Sequence, residues 1–202
     1  MKEDKTFEIF GPYEAFYLHS LQSCALSATI SGKWLEKFFE ENAERLLDVH
    51  PQPILNQLQN IAIQGAAISR FFWPSEKYKK RGEYLRNSFG IGDDNPLRCR
   101  TLRNRMEHYD EYLDDYLGES FRGGRILPDY IGPQPTGKEE VPYHLFRAYY
   151  VDTGRVSILG VDFELQPIMD AISDIGEVTQ NCIEKNGSRF PGKGPNKAMD
   201  LT

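Results

Sequence analysis

Between residues 54 and 72 the apolar positions Ile54, Leu58, Ile61, Gly65, Ile68 and Phe72 follow one another in steps of four and three. At about 100° per residue this spacing puts all six on one face of a helix, and such a face stays folded only if another element covers it. Gly65, Ala66 and Ala67 add little beyond backbone, so a neighbouring helix can approach closely. A second run, Tyr17, Leu18, Leu21, Ala25, Ala28 and Leu35, keeps near-helical spacing to about residue 47, with Gly32 predicting a division into two helices. Twelve Phe and eleven Tyr give these faces enough bulk to fill a real core, so the sequence predicts a packed, mainly α helical bundle.

The punctuation between the runs sets the organisation. Residues 1–12 are a polar extension that ends in Gly11-Pro12, and residues 13–186 form the domain. His50-Pro51-Gln52-Pro53 separates the first helical region from the second, and Trp73-Pro74-Ser75 ends the second. A short basic helix around Tyr84 and Leu85 precedes the turn at Gly90-Ile91-Gly92. Asn95-Pro96, an N-cap followed by a proline in the first helical position, opens a helix that runs to about residue 117. Residues 118–142 hold five Gly and four Pro, which predicts an irregular flap or surface loop. Residues 143–151 and 155–165 are rich in Tyr, Phe, Val and Ile, and Asp152-Thr153-Gly154 supplies the turn of a C-terminal β-hairpin over 143–165. Gln166-Pro167 opens a final helix with Ile168, Ile172, Ile175 and Cys182 on its apolar side, and 187–202 reads as a flexible tail.

Several function classes drop out at this level. No run approaches the roughly 20 apolar residues of a membrane span, and residues 1–6 lack the apolar core of a secretory signal, so the chain is expected in the cytoplasm without a membrane partner. Cys24, Cys99 and Cys182 are odd in number and widely spaced, which argues against a disulfide framework and against a zinc site. A formal net charge of −6 means that nucleic acid can be held only by a local basic patch. No phosphate-binding Gly-rich loop and no nucleophile-elbow serine motif is present, and no helix carries the Glu-x-x-His of a di-iron bundle; neither cofactor nor metal is expected.

The residues that do carry chemistry lie in Arg103-Asn104-Arg105-Met106-Glu107-His108. On the predicted helix, Leu102, Met106, Tyr109, Leu113 and Tyr116 make the core stripe. Asn104 and His108 lie together on another side, near Glu111 and Asp115. Arg103 points about 140° away from His108 around the axis, so a phosphate shared by the two needs either a wrapped arginine stem or a second copy of the motif opposite the first. An imidazole of ordinary pKa near 6.5 can take or give a proton at neutral pH, and a guanidinium holds phosphate bidentately. Arg98, Arg100, Arg103 and Arg105 concentrate four positive charges along one short stretch of an acidic chain, a local patch for tracking phosphates. Simpler roles stand beside these: Arg103 paired with Glu107 at i,i+4, Arg105 solvated beside Glu111 or Asp110, and His19, His50 and His144 as structural residues.

The string resembles the R-x4-6-H motif of the HEPN superfamily, helical-bundle proteins in which a polar residue, often Asn, follows the arginine. Here the spacing is R-x4-H with Asn104 in that place. The resemblance covers only the helix that carries it. It implies a HEPN-like helical core, a homodimer with two facing motifs, and metal-independent cleavage of RNA in a bacterial defence or stress setting. By that resemblance Arg103, Asn104 and His108 are the catalytic residues; the concentration of positive charge makes Arg98, Arg100 and Arg105 the substrate-binding ones. Asp110 stands where toxin-type members often have Tyr, and no nucleotidyltransferase signature accompanies the motif. The alternative is a non-catalytic helical binding or regulatory subunit of a larger assembly.

Overall fold

A computed structural model describes residues 7–120 and 123–193, apart from the side chains of Leu47, Arg100, Arg103, Glu119 and Ser120. The chain is mainly α. Helix α1 spans Gly11–Asn42 and α2 spans Pro51–Phe72; both carry a proline in the first turn, Pro12 and Pro51, where its fixed φ and missing N–H are suited. His50 caps α2, its Nδ1 accepting from the Gln52 N–H at 3.3 Å. All six residues of the four-three series are buried, with Ile54, Ile61, Ile68 and Phe72 fully so. Helix α6, Gln166–Lys185, packs across α1 and α2 through Ala171, Ile172 and Ile175. Gly65 is a point of close approach: a Cβ there would lie 3.2 Å from Ile172 and 3.3 Å from Leu97.

Gly32 does not divide α1. A glycine within a helix costs only about 1 kcal/mol, and here its bare Cα admits Met169 of α6, whose Cε would lie 3.1 Å from a Cβ. Helix α3, Lys79–Phe89, ends on Gly90 at φ 66°, the left-handed C-cap that glycine adopts without strain.

The helix expected from Asn95 is three pieces. Asn95 does cap through its side chain, accepting from Leu97 N–H at 3.0 Å, but what it caps is a single 3-10 turn, Pro96–Arg98. Helix α4 is Arg100–Glu107 and α5 is Tyr109–Ser120, separated at His108 (φ −119°, ψ 41°). The kink is confined to one residue: His108 N–H still donates to Asn104 at 2.9 Å, and its carbonyl accepts from Tyr112 N–H at 3.1 Å. Two anchors pull in different directions. Leu102 is buried and Glu107 pairs with Arg70 of α2, whereas Tyr116 of α5 hydrogen-bonds His144 of the sheet at 2.8 Å.

The sheet is larger than a hairpin. Within the segment read as a loop, Arg125–Gly132 forms β1, parallel to β2 (Tyr143–Tyr150), with Asp129 opposite Arg147. The stretch 155–165 is two short antiparallel strands, β3 (Arg155–Ile158) and β4 (Val161–Glu164), and the order is β1-β2-β3-β4. Gly and Pro concentrate at the ends of β1 and in its connection to β2, so the composition of 118–142 described the punctuation and hid the strand. Leu159 and Gly160 make the β3–β4 turn with φ of 48° and 75°. A leucine in that region is strained, and burial of its side chain holds it there.

The expected loose tail is docked as far as it is described. Phe190 is fully buried among the rings of Tyr17, Tyr84 and Phe89, and Glu14 of α1, also fully buried, accepts from Phe190 N–H at 2.8 Å. Arg189 Nε and Lys193 Nζ reach the same carboxylate at 2.9 and 3.1 Å. Burial alone would push the Glu14 carboxyl up; the hydrogen bonds from Arg189, the Phe190 amide and Lys193 outweigh it and hold it below the usual glutamate range. Residues 194–202, and 1–6 of the N-terminal extension, lie outside the described residues.

Candidate functional site at the α4–α5 kink

The motif residues occupy α4 and the kink. His108 is exposed, with Nδ1 3.4 Å from Glu111 Oε1, and so is not a core histidine. Asn104 is half-buried one turn upstream, joined to His108 through the backbone hydrogen bond that closes α4. Arg103 is on α4 next to Asn104, but its side chain, like that of Arg100, lies outside the described residues. The expected core stripe holds: Leu102 is buried, and Met106, Tyr109, Leu113 and Tyr116 pack against the core.

Two of the arginines assigned to substrate are held by the protein itself. Arg98 folds back on Asp93, Nη1 lying 3.3 Å from the carboxylate and 3.1 Å from the carbonyl. Arg105 turns inward, its guanidinium 4.6 Å from the centre of the Tyr112 ring. Its Nη1 reaches the carbonyls of Ile158 and Leu159 at 3.4 and 3.5 Å, bracing α4 against the strained β3–β4 turn. Arg105 is therefore neither a free phosphate contact nor the solvated partner of Glu111 or Asp110.

Beside the kink, α2, α4–α5 and the sheet line a half-open cavity of about 450 Å³. Leu58, Met106, Phe146, Val156 and Ile158 give it apolar walls. Into it project Gln59, Tyr109, Asp129 and Arg147. Arg147 donates from Nε to Asp129 Oδ1 at 3.0 Å, lies 2.7 Å from the same oxygen through Nη2, and donates from Nη1 to Gln59 Oε1 at 2.9 Å. Burial pushes the Tyr109 phenol up, with Arg147 pulling it down and Asp129 adding to the rise, so this hydroxyl lies within range of both charges. Sequence reasoning missed Gln59, Asp129 and Arg147. The only available signal was an Asp and an Arg eighteen positions apart, which means nothing until β1 is known to pair with β2.

Among the described residues, no group of three His, Cys, Asp or Glu is placed to hold a metal ion, and no helix is long and apolar enough to cross a membrane. His144, buried, links Tyr116 to the Gly123 carbonyl, both at 2.8 Å, and is structural. Comparison of the chain with family models, with curated proteins and with solved structures finds no match.

Proposed function

We propose that the chain is a HEPN-like, metal-independent endoribonuclease of the bacterial cytoplasm, acting in defence or stress, with Arg103, Asn104 and His108 as its catalytic residues. The observation that supports it is His108: an exposed imidazole at a one-residue kink, one turn from Asn104, with no part in the core. His108 moves the proton between the ribose 2′-hydroxyl and the leaving oxygen, Arg103 binds the scissile phosphate, and Asn104 orients the pair. A second copy supplies the facing motif in a homodimer.

The test is cleavage of a fluorogenic RNA in the presence of EDTA. His108→Ala is expected to lower the rate by about 10²–10⁴-fold. Because the side chain is exposed, stability should stay within about 0.5 kcal/mol. Equal cleavage by the parent and the variant discards the assignment, and a monomer at the assay concentration discards the facing motifs.

A second reading, a non-catalytic binding or regulatory subunit, is favoured by the inward turn of Arg105, which takes one of the four arginines out of the phosphate patch. It predicts a stoichiometric protein partner and no RNA cleavage by any variant.

A further inference from the structure

We infer that the cavity between α2, α4–α5 and the sheet is a binding site for a small, uncharged, planar heterocycle that presents an N–H beside a C=O. The site is distinct from the α4–α5 kink surface, and the inference stands whether or not RNA is cleaved there.

The volume, about 450 Å³, falls in the range of small-molecule sites, and the walls are those of such a site: mostly apolar, with a few polar groups converging from separate elements. Gln59 comes from α2, Tyr109 from α5, Asp129 from β1 and Arg147 from β2. The Arg147 and Asp129 side chains are 28% and 20% exposed, so the pair is held by the fold yet remains within reach of a ligand.

The pair also keeps hydrogen-bonding capacity. A guanidinium has five N–H groups, and the contacts to Asp129 and Gln59 engage three of them. Both contacts to Asp129 fall on Oδ1, so Oδ2 stands outside the pair. The recess therefore offers a donor next to an acceptor. Its complement is an acceptor next to a donor, the edge of a cyclic amide.

Charge excludes the competing ligand classes. Arg147 and Asp129 cancel, so a carboxylate gains from one what it loses to the other, and a cation does the reverse. A purely apolar ring fills the walls but leaves the pair without the water it displaces. Tyr109 and Phe146 give the cavity aromatic surface on which a flat ring can pack.

The experiment titrates three bicyclic probes into the full chain and follows side-chain resonances by NMR: 2-quinolone, which has the amide edge; quinoline, which lacks it; and quinoline-2-carboxylate, which is charged. Expected is binding of 2-quinolone about tenfold or more tighter than of the other two, with shifts centred on Met106, Phe146 and Ile158. Equal affinity for the three, or shifts elsewhere, overturns the inference. This comparison needs no variant. Asp129→Asn then removes the balancing charge while keeping the side-chain shape, and the order should invert, quinoline-2-carboxylate becoming the preferred probe. An unchanged order in the folded variant equally overturns it.

Discussion

Replacing Glu14 by Ala removes the carboxylate that ties the segment after α6 to α1. The carboxylate is fully buried and accepts from Arg189 Nε at 2.9 Å, Arg189 Nη2 at 3.3 Å, Phe190 N–H at 2.8 Å and Lys193 Nζ at 3.1 Å. Breaking a buried ion pair by removing one partner costs about 3–5 kcal/mol. The Arg189 and Lys193 side chains are 19% and 32% exposed and can turn towards water, which favours the low end; the Phe190 N–H is buried and cannot. We expect a loss of about 3 kcal/mol. For a chain of this length roughly 2–4 °C of Tm accompanies each kcal/mol, so the transition should fall by about 6–12 °C in thermal denaturation. Glu14→Gln keeps the volume and one acceptor, and should fall between the two. The dependence on pH has a definite sign. A folded-state pKa held below the unfolded one contributes stability that is fully present above the unfolded glutamate value, about 4.3, and is lost as pH falls through the folded value. That acid loss should be smaller in Glu14→Gln. If both variants melt within about a degree of the parent and follow the same pH profile, the clamp does not hold the segment in place.

Three further outcomes follow from packing. Arg105→Lys, which cannot span the Tyr112 ring and the Ile158 and Leu159 carbonyls together, should cost about 1–2 kcal/mol in urea denaturation; no change would return Arg105 to the surface. Leu159→Gly relieves roughly 1 kcal/mol of left-handed strain but gives up a side chain only 3% exposed, worth about 2–5 kcal/mol, so it should destabilise the fold; a stabilised variant means that strain dominates. His144→Phe keeps the ring but leaves Tyr116 Oη and the Gly123 carbonyl without their partner, for a loss of about 1–3 kcal/mol and faster amide exchange near residue 123; unchanged exchange would show that the link is idle.

The helices were legible wherever one continuous apolar face is buried along its whole length. The apolar series of α2 and α6 needed nothing beyond spacing, and Gly90 ended α3 as its φ requires. Reading failed where two partners compete for one stretch. The run from Asn95 carries one continuous apolar stripe, yet α2 holds its first half and the sheet its second, and the kink at His108 reconciles them. Strand β1 was missed because its Gly and Pro neighbours outweigh eight residues whose strand character depends on pairing with β2. The tail was missed because Gly187 to Lys193 looks polar and breakable, and the carboxylate that Arg189 and Lys193 share, Glu14, lies more than 170 positions earlier.

Local spacing is a one-dimensional property, and it was enough to determine a mainly α chain, Asn95 as a cap and the placing of His108 off the core stripe. Whether charges meet is a property of distance in space. Asp129 beside Arg147, Arg105 turned in upon the β3–β4 turn, and Glu14 closed over by Arg189 and Lys193 each join residues far apart in sequence. Those pairings, and the cavity that Asp129 and Arg147 line, exist only once the helices and the sheet have packed, because a carboxylate attracts a guanidinium strongly only where the rest of the fold has already taken much of the water away.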